Sequence, residues 1–230
     1  DLFYVRIDKN RKIFITTFLR ALGLGSDDEI RDFFGDDERI EATIEKDTTK
    51  NQEEALLEVY KKLRPGEPPT LETAQAHLDG LFFDAHRYDL SRVGRYKYNK
   101  KLGMFDRLNG QILAQPVISP QGELLADAGE KLSAEKAMEI EDAGVMFAYV
   151  LLESGREVKV VSNGMVDIDK YVDIDKKELG INEKVSYRVL SEILDKCDGD
   201  MDAIVNEIKI KHDDLIPNHI IVDDIFATVS

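Results

Sequence analysis

Residues 60–98, YKKLRPGEPPTLETAQAHLDGLFFDAHRYDLSRVGRYKY, decide how this chain is read. Leu56, Val59, Tyr60 and Leu63 fall on one face of a helix expected over Asn51 to Arg64, and Glu58 with Lys62 adds an i,i+4 pair. The run Arg64-Pro65-Gly66-Glu67-Pro68-Pro69-Thr70 cannot continue that helix, because its prolines lack backbone donors and push the residues before them towards extended conformations. A stiff loop is expected there. A second helix from Leu71 to about Phe82 follows, with Leu71, Ala74, Leu78, Leu81 and Phe82 inward, and Asp89 is placed to cap a third through Leu90 to Lys101. That third segment is basic: Arg87, Arg92, Arg95, Lys97, Lys100 and Lys101 stand against Asp89 alone, with Tyr88, Tyr96 and Tyr98 interleaved. A solvated helix face explains such a run as readily as phosphate contact does.

Upstream, Phe3, Val5 and Ile7 alternate with Tyr4 and Arg6 as a half-buried strand does, and Asp8-Lys9-Asn10-Arg11-Lys12 reads as a polar turn. A helix is expected from about Thr16 to Leu22, closed by Gly23 and Gly25. Ser26 then caps a short helix with Asp27, Asp28 and Glu29 in its first turn, ended by Gly35. Downstream of Asn109 the pattern turns to strands. Ile112, Val117 and Ile118 lead into the turn Ser119-Pro120-Gln121-Gly122, and Glu123 to Ala126 returns. Ser133 starts a helix to about Asp142, Val145 to Leu152 and Glu157 to Val161 form a second hairpin, and Asn163-Gly164 signals a two-residue turn. Helices over Glu183 to Cys197, Met201 to Lys211 and Ile220 to Ser230 complete an α+β chain: a mainly helical domain carrying an inserted mixed module of β-hairpins and helices.

Of 230 residues, 43% are apolar, enough for a real core, and 46 acidic against 31 basic residues leave a net charge of −15. Taken whole, that balance opposes polyanion binding, but it is unevenly spread. Residues 1–101 hold 18 basic and 20 acidic residues, whereas residues 102–230 hold 13 and 26. Cys197, the single cysteine, sits at an apolar position of a helical pattern and is expected to be a small buried hydrophobe in a reducing compartment. The longest apolar run, Val145 to Leu152, is too short to span a bilayer. Both ends suggest a piece of a longer chain. His77, His86, His212 and His219 match no metal-ligand spacing, Gly23-Leu24-Gly25 lacks the lysine of a phosphate loop, and Asp167/Asp169 and Asp173/Asp175 read as solvated turn carboxylates. No catalytic constellation stands out.

Tyr60 to Thr70, followed by Leu81-Phe82-Phe83-Asp84-Ala85-His86-Arg87-Tyr88-Asp89-Leu90-Ser91-Arg92-Val93-Gly94-Arg95-Tyr96-Lys97, resembles the lobe region of the bacterial DNA-directed RNA polymerase beta subunit. Val5-Arg6-Ile7-Asp8, Arg11-Lys12 and Phe18-Leu19-Arg20-Ala21-Leu22 fit the same family, and Asp223-Asp224-Ile225 resembles its return after an insertion. On this resemblance the lobe is residues 1–101 with 220–230, and residues 102–219 are a lineage-specific insertion in a Clostridia-like style. Within the insertion, Gly110-Gln111-Ile112-Leu113-Ala114 and Ala128-Gly129-Glu130-Lys131-Leu132 resemble the small β-rich modules that recur in such insertions.

The resemblance implies a non-catalytic piece of a nucleotidyltransferase, forming a wall of the DNA channel that faces downstream duplex and the non-template strand. Arg64, Pro65, Gly66, Glu67, Pro68, Pro69 and Thr70 match the family's gate loop, which meets NusG-type elongation factors. Arg11, Lys12, Arg64, Arg92, Arg95 and Lys97 would face DNA phosphate. No cofactor is implied in this segment, since the catalytic magnesium of the family is held by the other large subunit. The implied partners are DNA and the beta-prime, alpha, omega and sigma subunits, in the cytoplasm with the nucleoid and away from membrane. A competing reading makes the chain an acidic protein-interaction module that docks transcription factors, with DNA contact incidental. A free-standing enzyme is disfavoured.

Overall fold

The alternation around Val5 forms strand β1 (Tyr4–Ile7), paired antiparallel with β2 (Arg11–Phe14) in a register that sets Ile7 opposite Arg11 and Tyr4 opposite Phe14. The computed structural model describes residues 1–9 and 11–230, so Asn10, in the expected turn, lies outside the described residues. Asp8 and Lys9 take left-handed φ values of 56° and 64°, while Arg11 and Lys12 are already strand. The chain divides into two compact units, Asp1–Arg87 and Tyr88–Ser230.

In the first unit, helix α1 (Ile15–Ala21) is buried along its whole length, including Thr16, Thr17 and Arg20. A helix buried all round must satisfy its polar groups internally. Asp47 does so: its carboxylate accepts from Thr16 Oγ1 (2.7 Å), Arg20 Nε (3.4 Å), Thr49 N (2.9 Å) and Thr49 Oγ1 (2.6 Å). Arg20 also donates to Gly25 O (3.0 Å) and pairs with Asp27. Helix α2 (Asp27–Phe34) begins in the capping box of Ser26 and Glu29 and ends at Gly35, φ +72°, as its caps foretold. Helix α3 (Glu38–Lys46) is absent from the sequence expectations; its inward stripe is only Ile40, Thr43 and Ile44. Helices α4 (Gln52–Leu63) and α5 (Leu71–Phe82) flank the proline loop. Ala74 and Leu78 are buried as expected, but Leu71, the first residue of α5, is 41% exposed.

The second unit opens with α6 (Ser91–Leu102), whose N-cap position is Leu90; Asp89 instead accepts from Ser91 N at 2.8 Å. A short α7 (Phe105–Leu108) leads to β3 (Ile112–Leu113), then to the hairpin β4 (Val117–Ile118) and β5 (Leu124–Ala126). Helix α8 (Ala134–Asp142) is capped by Ser133. Strands β6 (Phe147–Leu151) and β7 (Glu157–Val161) form the expected hairpin, and β3 joins β6 to give the order β3-β6-β7. The two segments that resemble a recurring module are backbone partners: Gly129 N donates to Leu113 O, Leu113 N to Glu130 O, and Leu132 N to Gln111 O. Met104, Leu108, Leu113, Val117, Ala137, Ile140, Val150 and Val160 share one core.

Asn163-Gly164 does not turn a hairpin. Strand β8 (Met165–Val166) leaves β7 and pairs with β9 (Val185–Ser186) some twenty residues on, with a 3-10 turn (Ile168–Lys170) between them. Residues 183–186 are therefore not helical, and α9 (Tyr187–Cys197) starts from Ser186 as its N-cap. Helix α10 (Met201–Ile210) and the short α11 (His212–Leu215) complete a second core around Val166, Leu190, Ile193, Ile204 and Ile208, in which Cys197 is buried with a free thiol. Gly144, φ +82°, joins the two cores: a Cβ there would come within 2.6 Å of the Tyr187 ring. Helix α12 (Val222–Val229) packs back on α6. The architecture is α+β, and no helix among the described residues is long and apolar enough to cross a membrane.

Candidate nucleic-acid interface

The proline loop is anchored at both ends and exposed between them. Arg64 N donates to Tyr60 O (2.7 Å) as the C-cap of α4, and Thr70 closes a capping box with Thr73 at the start of α5. In the middle, Tyr60 Oη donates to Glu67 Oε2 at 2.6 Å, a bond that also raises the phenol's pKa, and Gly66 takes φ +96° to let the loop reverse. Arg64, Pro65, Gly66, Glu67, Pro68 and Thr70 are exposed; Pro69 is half-buried. Local bonds and prolines thus hold a solvent-facing loop in one shape before any partner arrives.

Arg64 also lines a polar cavity of about 420 Å³ within the first unit, together with Asp8, Leu63, Ala76, His77, Gly80, Leu81 and Arg87. Arg87 Nη1 donates to Gly80 O at 3.2 Å, which leaves most of its guanidinium donors for a ligand. Burial lowers the pKa of His77 and the charge of Arg64 lowers it further, with Arg87 adding to this and Glu67 and Asp8 opposing it, so the imidazole favours its neutral form at pH 7. Two guanidinium groups line the cavity beside the ring with one lining carboxylate, Asp8, while Glu67 acts on the ring from the loop; the guanidinium pair suits an anionic oxygen cluster. His77 and Arg87 escaped the sequence expectations as site residues. The available signal was helical: Ala76, His77, Gly80 and Leu81 form one face of α5, turned towards the loop.

Arg11 and Lys12 are exposed on β2, with Arg11 opposite Ile7 on the hairpin whose turn residue Asp8 enters the cavity wall; Lys12 Nζ lies 5.4 Å from the Tyr4 ring centroid. On α6 of the second unit the predicted cations separate. Arg92 and Lys97 are exposed, as are Tyr88 and Tyr96. With the Asn182 amide turned so that its oxygen faces the guanidinium, it accepts from Arg92 Nε (3.2 Å) and Nη2 (2.8 Å).

Arg95 is a correction to the expected set. Only 1% of its side chain is accessible, and its donors are engaged internally: Nε donates to Pro217 O (2.7 Å), Nη1 to both oxygens of Asp224 (3.0 Å each), and Nη2 to His219 O. The physical reason is helical phase. Arg95, Asn99 and Leu102, spaced i, i+4 and i+7, face inward, whereas Arg92 and Lys97 lie on other sides of α6. Asp224 is saturated in turn, since it also accepts from Asn163 Nδ2 (3.1 Å) and Ile221 N (3.1 Å). Asn163, expected in a two-residue turn, is 1% exposed and donates to Asn99 Oδ1 (3.2 Å) as well. This arginine cannot reach a phosphate without abandoning a buried carboxylate.

A family model described as RNA polymerase Rpb2, domain 2 matches residues 1–118. Over its whole length the chain is 54% identical to a DNA-directed RNA polymerase subunit beta of Clostridium beijerinckii and 52% identical to those of Clostridium novyi and Clostridium botulinum (strain Loch Maree). The chain spans about 18% of the length of these relatives. The likeness extends through residues 102–219.

Proposed function

The chain belongs to the RNA polymerase Rpb2 domain 2 family, and from that premise we propose that it is a non-catalytic lobe of a DNA-directed RNA polymerase, forming a wall of the DNA channel. The observation that carries the reading is the cavity in which Arg64 and Arg87 flank neutral His77 at the foot of the proline loop. Phosphate contacts position a nucleic acid without reading its bases, and guanidinium pairs are suited to that task. Arg64, Arg87, Arg11 and Lys12 are the phosphate-facing groups of the first unit, and Arg92 and Lys97 those of the second. Arg95 holds α6 in place and touches no DNA. The loop Arg64 to Thr70 serves as a gate that meets NusG-type elongation factors.

The parent enzyme supplies nucleotidyl transfer through its beta-prime subunit and magnesium, with alpha, omega and sigma as further partners in the cytoplasm. The lobe proper is residues 1–101 with 220–230, from which 102–219 is inserted. Reversing Arg64 and Arg87 to Glu in the assembled polymerase is expected to shorten the lifetime of the open complex. It should also flatten the salt dependence of DNA association, by about one unit of log–log slope for each phosphate no longer neutralised. Reversal of Lys131, exposed on the insertion, serves as the control. An unchanged slope in the Arg64→Glu/Arg87→Glu enzyme sinks the assignment.

A further inference from the structure

We propose that the groove between hairpin β4–β5 and helix α8 is a docking site for a basic, amphipathic segment of a protein partner. The groove has a volume of about 680 Å³ and lies wholly within the second unit. Its floor is apolar: Leu125 on β5, Met138 on α8, and the ring of Tyr171 after the 3-10 turn. Methionine lets such a floor adapt to different apolar side chains. Its rim is acidic. Glu123 stands on the hairpin side and Glu135 and Glu139 on the helix side, with Lys170 as the cationic member of the lining.

Charge complementarity identifies the occupant. Glu139 is offset by Lys136 (2.9 Å) and Asp142 by Lys184 (3.0 Å), but Glu123 and Glu135, both exposed, have no cationic partner among the described residues. The segment around the groove deepens the field, since residues 102–230 carry 26 acidic residues against 13 basic. A nucleic acid or an acidic peptide is repelled there, and a neutral apolar ligand leaves the rim unused. A chain with Lys or Arg flanking apolar side chains fits both floor and rim. The groove-facing residues Ala134, Glu135, Met138, Glu139 and Asp142 form one stripe of α8, about 13 Å of helix, which suits an occupant of two to three helical turns. The inference is independent of the channel-wall assignment, because none of its residues belongs to the phosphate-facing set.

The test uses the whole chain carrying carbon-13 methionine methyls, titrated with labelled peptides of Lys and Leu, roughly eleven residues long. One peptide has Leu at helical i, i+3/i+4 spacing, a second has the same composition scrambled, and a third has Glu in place of Lys. The periodic basic peptide is expected to bind about tenfold more tightly than the scrambled one and to shift the Met138 methyl but not that of Met201. The Glu123→Lys/Glu135→Lys variant should lose about tenfold in affinity while the Met104 methyl, 0% exposed in the core, stays in place as the reporter of folding. Ala134→Lys, which narrows the groove without removing an acid, provides a second variant that should weaken binding. Equal binding of the scrambled peptide would reduce the effect to net charge and overturn the proposal. Binding of the Glu peptide, an unmoved Met138, self-association through the groove, or a Met138 shift caused by single-stranded oligothymidine would each overturn it too.

Discussion

Each unit encloses one arginine in its core, and the two differ in where the counter-charge comes from. Arg20 is 0% exposed and meets Asp27 and Asp47, seven and 27 residues along the chain; Asp27 remains 32% exposed. Arg95 meets Asp224, 129 residues away, with both side chains 1% exposed. The first anchor forms when a contiguous stretch of sequence folds. The second closes only when the chain has left α6, built two further cores and come back as α12. Loop-closure entropy grows with the logarithm of length, so closing 129 residues rather than 27 costs only about 1.4 kcal/mol more. A well-satisfied buried pair that binds departure to return can therefore close a long intervening segment at little thermodynamic penalty.

The largest expected effect comes from breaking the distant anchor. Arg95→Ala leaves Asp224 buried without a cation, at about 3–5 kcal/mol in denaturant unfolding of the second unit. Replacing both partners with apolar residues, Arg95→Met with Asp224→Leu, should recover most of that loss, and failure to recover would show that the network rather than the pair sets the stability. Arg20→Ala should cost less, roughly 2–3 kcal/mol, because Asp27 can rehydrate and Asp47 keeps its threonine donors. Its loss should appear in the first unit alone.

Acidification separates the two units by sign. Burial alone would raise the Asp47 pKa, but the bonds from Thr16 and Thr49 overcome it and leave the carboxyl below its ordinary value. Its contribution is present above the ordinary carboxylate range and is lost as pH falls through the lowered pKa. Asp223 in the second unit is shifted the other way, chiefly by burial and then by Asp224, against the pull of Arg188. Its cost appears as pH rises through the raised pKa and is relieved on protonation. Between neutral pH and the acid limit, unfolding followed by probes in each unit should show the first unit losing the Asp47 contribution while the second is relieved of the Asp223 cost. Asp47→Asn should flatten the acid slope of the first unit, and Asp223→Asn that of the second.

A smaller effect tests the polar bridge inside the distant anchor. Asn163→Ala removes the donor shared by Asn99 and Asp224 and is expected to cost about 1–2 kcal/mol. The Asn163 Oδ1 atom has no hydrogen-bond partner among the described residues, and Asn163→Asp should be worse than Ala, since it sets a second carboxylate against Asp224.

What could be read in advance follows the same division between local and distant causes. Ser26, Asn51, Thr70 and Ser133 begin helices because capping is settled within four residues, and the prolines of residues 64–70 stop a helix by their own covalent geometry. Helix α3 escaped because two isoleucines and a threonine give too weak a stripe within nine mostly polar residues. Arg95 and Asn99 occupy inward positions of α6 where an apolar residue would have marked the face, so their burial is written only in Asp224 and Asn163, far along the chain. Asn163-Gly164 carries a strong local turn signal, but the pairing of β8 with β9 overrides it. The cavity of Arg64 was half legible: the loop gave Arg64, and only the packing of α5 brought His77 and Arg87 to it.

The smallest predicted effect is the most discriminating for the contrast between the anchors. Ser26→Ala removes the cap of α2, and Ser133→Ala that of α8; each should cost about 1 kcal/mol. Ser26 immediately precedes Asp27, the partly exposed partner of Arg20, so its cap also fixes where that carboxylate sits. Ser133 bears no such relation to Arg95 or Asp224. Double-mutant cycles should therefore show coupling of about 0.5 kcal/mol or more between Ser26→Ala and Arg20→Ala, and additivity within about 0.3–0.5 kcal/mol between Ser133→Ala and Arg95→Ala. Additivity in the first cycle would mean that Asp27 is held by its cations Arg20 and Lys50, and that the nearby anchor gains nothing from the helix cap beside it.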